Sequence, residues 1–195
     1  MGWLMLAAGQ GARFGYDAGK LMFPLPDGQP LVAHSLRPYL QTGEPIMLVV
    51  HPEHLLFQQW LNQQGIPFTC CPDAESGMGH SLRWGIQKTA DWPWWGIALA
   101  DMPWLDKQIL SQLAGSVRED RISVPVFGGL QGHPVIFGKQ FAPQLMVSSG
   151  DKGAKNLLQT YAHCIEQVEI GSSAILMDVD TPQALEAYLR IHFSQ

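Results

Sequence analysis

Trp3-Leu4-Met5-Leu6-Ala7-Ala8-Gly9-Gln10-Gly11-Ala12-Arg13-Phe14-Gly15 is the stretch that decides the fold. Its first six residues are apolar without alternation, the pattern of a strand covered on both faces. That run passes directly into a glycine-rich turn. After the first strand of a parallel sheet, such a turn can aim backbone N–H groups at a phosphate.

Further continuous apolar runs lie outward from this strand, at residues 45–50, 67–70 and 94–100. Segments with helical spacing separate them, at 31–40, 53–63, 81–90 and 105–113. The order β-α-β-α-β-α-β predicts a three-layer α/β fold with a mostly parallel sheet and strand 3–8 at its centre. The second half reads as strands at 122–127 and 134–137 around a turn, then short helices at 139–146 and 154–161. Late strands at 165–170 and 174–177 follow, and a helix at 182–191 closes the chain. With 195 residues, no repeat and no long linker, one domain over residues 1–195 is expected.

Composition removes several function classes. Apolar residues make up 46% of the chain, which suits a packed core, and the net charge is −5 from 12 basic and 17 acidic residues. Twelve scattered cations supply no basic face for duplex nucleic acid, so no nucleic-acid partner is expected. No window of 18 apolar residues exists, so no membrane span is expected. Run 3–8 is too short for a secretory leader and lacks a basic start. Cys70, Cys71 and Cys164 are odd in number and show no zinc-type spacing, as for reduced thiols in a cytoplasmic protein.

The glycine turn fits neither common nucleotide signature. For a Rossmann fingerprint the third glycine falls one place late, and Glu44 is too distant to serve as the acidic residue expected about 20 residues on. For a P-loop, Phe14 occupies the first glycine position, and Leu21 follows Gly19-Lys20. The turn is therefore either ligand-free or a phosphate loop with its own cations. Arg13 and Lys20, two of the 12 basic residues, flank it, one a rigid fork of donors and the other a compact charge.

Carboxylates stand where a cation would be needed. Asp101 directly follows the run 94–100, and ligands of open α/β sheets sit beyond the carboxyl ends of strands. There it can hold Mg²⁺ through hard oxygen ligands. Position alone also allows it to cap a helix or form an Asx-turn before Pro103. Asp178 and Asp180 end the run 174–177, and alternation places both on one side of an extended segment. Either can add a second metal ligand, and the other can cap the helix at Pro182 in competition with Thr181. Gly77-Met78-Gly79-His80-Ser81 is either a flexible helix entry or a backbone-lined slot for a flat base. Lys152 and Lys155, after Gly150-Asp151, make a charged helix start or a positive patch for a phosphate. His51, His80 and His133 do not form a spaced zinc set, and no Ser-His-Asp or Cys-His set is evident.

Six blocks together resemble one family, in order along essentially the whole chain. They are Leu6 through Gly15 with Lys20, then Gly77-Met78-Gly79-His80-Ser81-Leu82, then Ala100-Asp101-Met102-Pro103. Gly132-His133-Pro134-Val135, Gly150-Asp151-Lys152-Gly153-Ala154 and Asp178-Val179-Asp180-Thr181-Pro182 complete the series. The chain is similar to the MobA-like nucleotidyltransferases and, among them, to the molybdenum cofactor cytidylyltransferases. Ala8 resembles the cytidylyl branch, since the guanylyl branch usually has glycine there. One departure is the spacer Tyr16-Asp17-Ala18-Gly19 before Lys20, four residues where the family usually has two or three.

The resemblance implies a Rossmann-like nucleotidyltransferase fold and transfer of CMP from CTP to the phosphate of molybdenum-molybdopterin, with release of pyrophosphate and Mg²⁺ as cofactor. Leu6, Ala7, Ala8, Gly9, Gly11, Arg13, Lys20, Gly77, Gly79 and Ser81 would bind the nucleotide. Arg13, Lys20 and Asp101 would act in catalysis, and Asp101, Asp180 and Asp178 would be metal ligands. His133 and Lys152 would meet the acceptor, and a molybdoenzyme would receive the product. A sugar-phosphate or alditol-phosphate nucleotidyltransferase of the same fold is one alternative. A non-catalytic chaperone for the cofactor is another.

Overall fold

The computed structural model describes residues 2–9, 19–150 and 154–193. Every residue of β1 (Gly2–Ala7) is buried. Trp3, Met5 and Ala7 enter the core on one face of the sheet, and Leu4 and Leu6 enter the core on the other. The run lacks alternation because both faces are covered. Burying each large side chain here contributes about 1.5–3 kcal/mol.

β1 pairs in parallel with β2 (Ile46–Val50) and with β4 (Trp94–Leu99), and β2 pairs in parallel with β3 (Phe68–Cys70). The connecting helices are α1 (Leu31–Thr42), α2 (Leu55–Gln64) and α3 (Met78–Lys88). This is the parallel, internally placed first strand expected from the sequence. After β4, α4 (Lys107–Gly115) starts at Asp106, whose side chain accepts from the Ile109 N–H at 2.9 Å. The remaining elements are β5 (Ile122–Phe127), β6 (Leu130–Gln131), β7 (Val135–Gly138), α5 (Ala142–Leu145), α6 (Lys155–Thr160), β8 (Ile165–Glu169) and α7 (Pro182–Phe193).

The sheet order is β3-β2-β1-β4-β7-β5-β6, with β8 parallel to β5. β7 runs antiparallel to β4 and to β5. β6 and β7 pair with opposite ends of β5, and residues 132–135 face only residues 124 and 125. Gly132 lies in this bulge. A Cβ there would fall 2.2 Å from the Ile175 carbonyl oxygen, so only glycine lets the two segments approach.

Three sequence expectations are corrected. Residues 174–177 are not a strand; Ser173–Leu176 form a 3₁₀ turn, with the Ser172 hydroxyl accepting from the Ala174 N–H. Ala174 and Ile175 are apolar because they pack on the core, which a four-residue run cannot distinguish from sheet pairing. α3 begins at Met78 rather than 81, so Gly77-Met78-Gly79-His80-Ser81 is a helix start and not a loop. Residues 139–146 divide into a 3₁₀ turn, Lys139–Phe141, and the short α5.

Candidate active site

A cavity of about 580 Å³ opens beyond the carboxyl ends of β1 and β4. The strand order reverses between these two strands, the usual ligand position in open α/β sheets. Leu6, Ala7, Ala8 and Gly9 form one wall, and Leu99, Ala100 and Asp101 form the next. Ala74, Glu75, Gly77, Met78 and Ser81 line the side toward α3. Lys20, Leu21, Asp178 and Asp180 complete the lining.

Lys20 and the aspartates meet here from distant parts of the chain. The Lys20 ammonium donates to Asp101 Oδ2 at 2.5 Å and to Asp180 Oδ1 at 2.5 Å. Burial by itself would lower the Lys20 pKa. The charges and hydrogen bonds of Asp101 and Asp180 outweigh it and hold the ammonium above its ordinary value. The extra spacer residues before Lys20 therefore do not keep its side chain from the carboxylates. Arg13 and Gly11, the other cation and glycine expected in the turn, lie outside the described residues, as does Lys152.

Backbone geometry aims the late aspartates. Val179 is fully buried, and its N–H donates to the Asp101 carbonyl at 2.8 Å. Its neighbours Asp178 and Asp180 both reach the cavity wall, as alternation along an extended segment requires. The Thr181 hydroxyl accepts from the Ala184 N–H at 3.2 Å and so caps α7.

Among the described lining residues, four carboxylates face one ammonium. A triphosphate entering such a cavity needs added positive charge. Asp101 Oδ1 is buried and has no hydrogen-bond partner among the described residues, so it can bind a cation without breaking a bond to any of them. Among the described residues no group of three or more His, Cys, Asp or Glu side chains gathers as a metal cluster. Asp101, Asp178 and Asp180 are thus not a closed three-carboxylate site. Two carboxylates with open positions suit Mg²⁺, which usually takes one or two carboxylates and completes its shell with phosphate oxygens and water. The residues present fit that ion.

The pKa of Asp178 is raised by burial and by the charges of Asp180 and Asp101, against the opposing charge of Lys20. A carboxyl whose folded pKa lies above its unfolded value stabilises fully below the unfolded value, 3.8. That contribution is lost as pH rises through the folded value. Asp178→Asn should therefore raise Tm slightly at neutral pH, with the gain vanishing below about pH 4. Asp178 is exposed, so solvent screening keeps the effect small. Thermal unfolding at pH 7 and pH 3.5 checks this, and a lower Tm at neutral pH contradicts it.

Other expected site residues are placed differently. Gly77 and Ser81 line the cavity, but Gly79 does not. A Cβ on Gly79 would meet the Ser149 backbone at 2.6 Å, and the Gly79 N–H donates to the Gly150 carbonyl at 2.7 Å. Its missing side chain lets loop 149–150 press against the start of α3. Ser81 sits inside α3 rather than capping it. His133 is not on the cavity wall; its N–H donates to the Ile175 carbonyl at 2.9 Å, and its Nδ1 is buried with no partner among the described residues. Burial lowers its pKa against the opposing effects of the Ile97 carbonyl and Asp101. Sequence reasoning missed Leu21, Ala74, Glu75, Met78, Leu99 and Ala100 as lining residues. Only their adjacence to Lys20, Gly77 and Asp101 signals them. Glu75 lies 3.8 Å from His51, which sits at the end of β2.

Comparison with known proteins agrees with this geometry. The chain is 30% identical to the purine catabolism protein PucB of Bacillus subtilis over 96% of this chain and 95% of that one. It is 27% identical to the molybdenum cofactor cytidylyltransferase of Escherichia coli over 96% and 97%. The solved structure of Rv0371c from Mycobacterium tuberculosis has the same fold, with a TM-score of 0.84 at 22% identity, covering 96% of each chain. The family described as the MobA-like NTP transferase domain matches residues 3–167, which hold all of β1 after Gly2, together with Lys20 and Asp101. With that match spanning most of its length, the chain belongs to the family of MobA-like NTP transferase domains.

Proposed function

We propose that this nucleotidyltransferase moves CMP from CTP onto the phosphate of molybdenum-molybdopterin and releases pyrophosphate. The observation that carries the transfer chemistry is the meeting of Lys20, Asp101 and Asp180 at the strand-end cavity. The likeness to a molybdenum cofactor cytidylyltransferase supports the choice of donor and acceptor. An acceptor phosphate oxygen forms a bond to the α-phosphorus as the bond to pyrophosphate breaks in line. The attacking phosphate is already ionised near neutrality, so no side chain needs to remove a proton.

Asp101 and Asp180 would hold Mg²⁺, with Asp178 beside them. When bound, the ion would supply positive charge that offsets the charge growing on the reacting phosphates. Lys20 donates to triphosphate oxygens as their charge grows, in a site already organised for it. Leu6, Ala7, Ala8 and Gly9 carry the nucleotide on one side, and Gly77 and Ser81 carry it on the other. Arg13 and Gly11 extend the phosphate contacts, and Lys152 and His133 belong to the acceptor side. The reaction would run in the cytoplasm and deliver its product to a molybdoenzyme. No helix among the described residues is long and apolar enough to cross a membrane.

Ala8 gives the donor preference a physical basis. It is 6% exposed, lies on the cavity wall and packs in the same core cluster as Cys71 and Ala74. A purine pressed against its methyl group would overpack the wall at a cost of about 1–3 kcal/mol, or roughly 5- to 150-fold in relative binding. CTP should therefore exceed GTP in kcat/KM by a factor in that range, and Ala8→Gly should narrow the gap. The deciding experiment incubates the protein with each of the four NTPs, Mg²⁺ and a panel of acceptors that includes molybdenum-molybdopterin, following pyrophosphate. Equal kcat/KM for CTP and GTP defeats the donor assignment. Release with a sugar phosphate or alditol phosphate alone defeats the acceptor assignment.

A further inference from the structure

Behind the cavity lies a small satellite core made of Leu25, Leu31, Val179, Leu185 and Tyr188, with Phe23 and Trp104 packed against it. Each of these segments is tied to one member of the candidate site. Phe23 and Leu25 follow Lys20, Trp104 follows Asp101, and Val179 directly precedes Asp180. The Val179 N–H to Asp101 carbonyl bond joins two of them. Whatever holds this cluster together also sets the spacing of Lys20, Asp101 and Asp180.

One polar chain closes the cluster. The Tyr188 hydroxyl lies 2.9 Å from His34 Nδ1, and both residues are buried. His34 Nε2 lies 3.0 Å from Asp27 Oδ2. A carboxylate only accepts, so Nε2 carries the proton and donates to Asp27. In the neutral ring, Nδ1 then accepts from the Tyr188 hydroxyl. Burial outweighs Asp27 and lowers the His34 pKa, which agrees with a neutral ring. The chain ties α7 to α1 and to the loop that follows Lys20. Asp178 and Asp180 lie on the segment leading directly into α7.

We propose that Tyr188 and His34, anchored by Asp27, are positioning residues that act through Val179 to hold Asp180 opposite Lys20 and Asp101. That Asp180 then holds a metal rests on the function proposed above; the positional effect does not. Tyr188→Phe keeps the ring in the cluster and removes only the hydroxyl, leaving a buried acceptor on His34 unpaired. Thr42→Val is the matched control. It removes hydroxyl bonds on the same helix, those accepted from Trp3 Nε1 at 3.1 Å and the Glu44 N–H at 3.3 Å and the one donated to the Tyr39 carbonyl at 2.6 Å, far from the satellite core.

Amide hydrogen exchange reads the effect without any substrate or metal, because it reports local opening. In Tyr188→Phe, exchange at Val179 and Leu185 should accelerate by about 5- to 100-fold relative to the β1 amides, the equivalent of one buried hydrogen bond. In Thr42→Val, Val179 should change no more than β1. In Tyr188→Phe, kcat should fall by about tenfold or more while KM for CTP stays nearly constant, because misplacement of a reacting group costs rate rather than binding. Asp27→Ala, altered at the exposed end of the chain, should act in the same direction and covers the case of a Tyr188 variant that does not fold. Acceleration that is uniform across β1 and Val179 overturns the proposal. Loosening at Val179 with kcat unchanged overturns it as well. Failure of the donor and acceptor assignment shows separately, as no CTP-dependent pyrophosphate release from the unmodified protein, and the exchange measurement then decides the proposal by itself.

Discussion

Asp101→Asn is expected to lower turnover by about 10²- to 10³-fold, the usual loss when one preorganised charged contact to the transition state is removed. The amide has nearly the same shape, and its oxygen still accepts from Lys20. What disappears is one negative charge and a buried oxygen, Oδ1, that no donor among the described residues satisfies. With the amide oxygen held by Lys20, the amide nitrogen takes the place of Oδ1 and has no lone pair to offer a hard cation. The Lys20 and Asp101 side chains are 14% and 18% exposed, so the ion pair is partly screened and its weakening should lower Tm only modestly. Pyrophosphate release at saturating Mg²⁺, measured beside thermal unfolding, checks both halves. Unchanged turnover refutes the role of Asp101. Activity and Tm falling in step would mark it as a structural residue, although no capping bond from its side chain is seen.

Lys20→Met should reduce turnover by a similar factor, about 10²- to 10³-fold, because the growing triphosphate charge loses a fixed cation. Its effect on stability has a distinct pH signature. Lys20 has a folded pKa above 10.5, so its ion pairs stabilise the protein fully below that pH and are lost only as pH rises through the folded value. The variant should thus be less stable than the parent at pH 7, and the difference should shrink as pH rises above about 10.5. Removing the ammonium also leaves Asp101 and Asp180 facing each other. Mg²⁺ should consequently raise Tm more in the variant than in the unmodified protein. Equal Mg²⁺ shifts in both would mean that Lys20 and the cation do not share these two carboxylates.

Much of this arrangement was legible in the sequence, for definite reasons. Strand β1 could be read because it is buried on both faces, and its apolar run has no polar interruption to confuse it. Thr181 could be read as a candidate cap, in competition with an aspartate, because capping is a local bond between residues three apart. Local pattern failed at residues 174–177, where apolar content records burial without saying which element is buried. It also failed at α3. Gly77, at φ 107°, marks the cap there, and two glycines fit a flexible helix entry and a backbone-lined slot equally well, so the pattern alone could not place the first helical residue. Gly79 illustrates the same limit. A glycine in a candidate site suggests close approach by a ligand, and here the approaching group is the backbone of Ser149.

By itself, the sequence determined the alternation of covered strands and helices, and with it the strand-end position of Asp101, because both depend on residues that are neighbours in the chain. It also supplied the residue types of the site. Only the tertiary structure decided which of them meet. Lys20 reaches across 81 residues to Asp101 and across 160 to Asp180, and no local pattern encodes those contacts. They form because β1 and β4 are adjacent parallel strands that end at the same level, and because Val179, buried in the satellite core and bonded to the Asp101 carbonyl, brings Asp180 to that level. Packing of the apolar residue between the two late aspartates sets where their charges point.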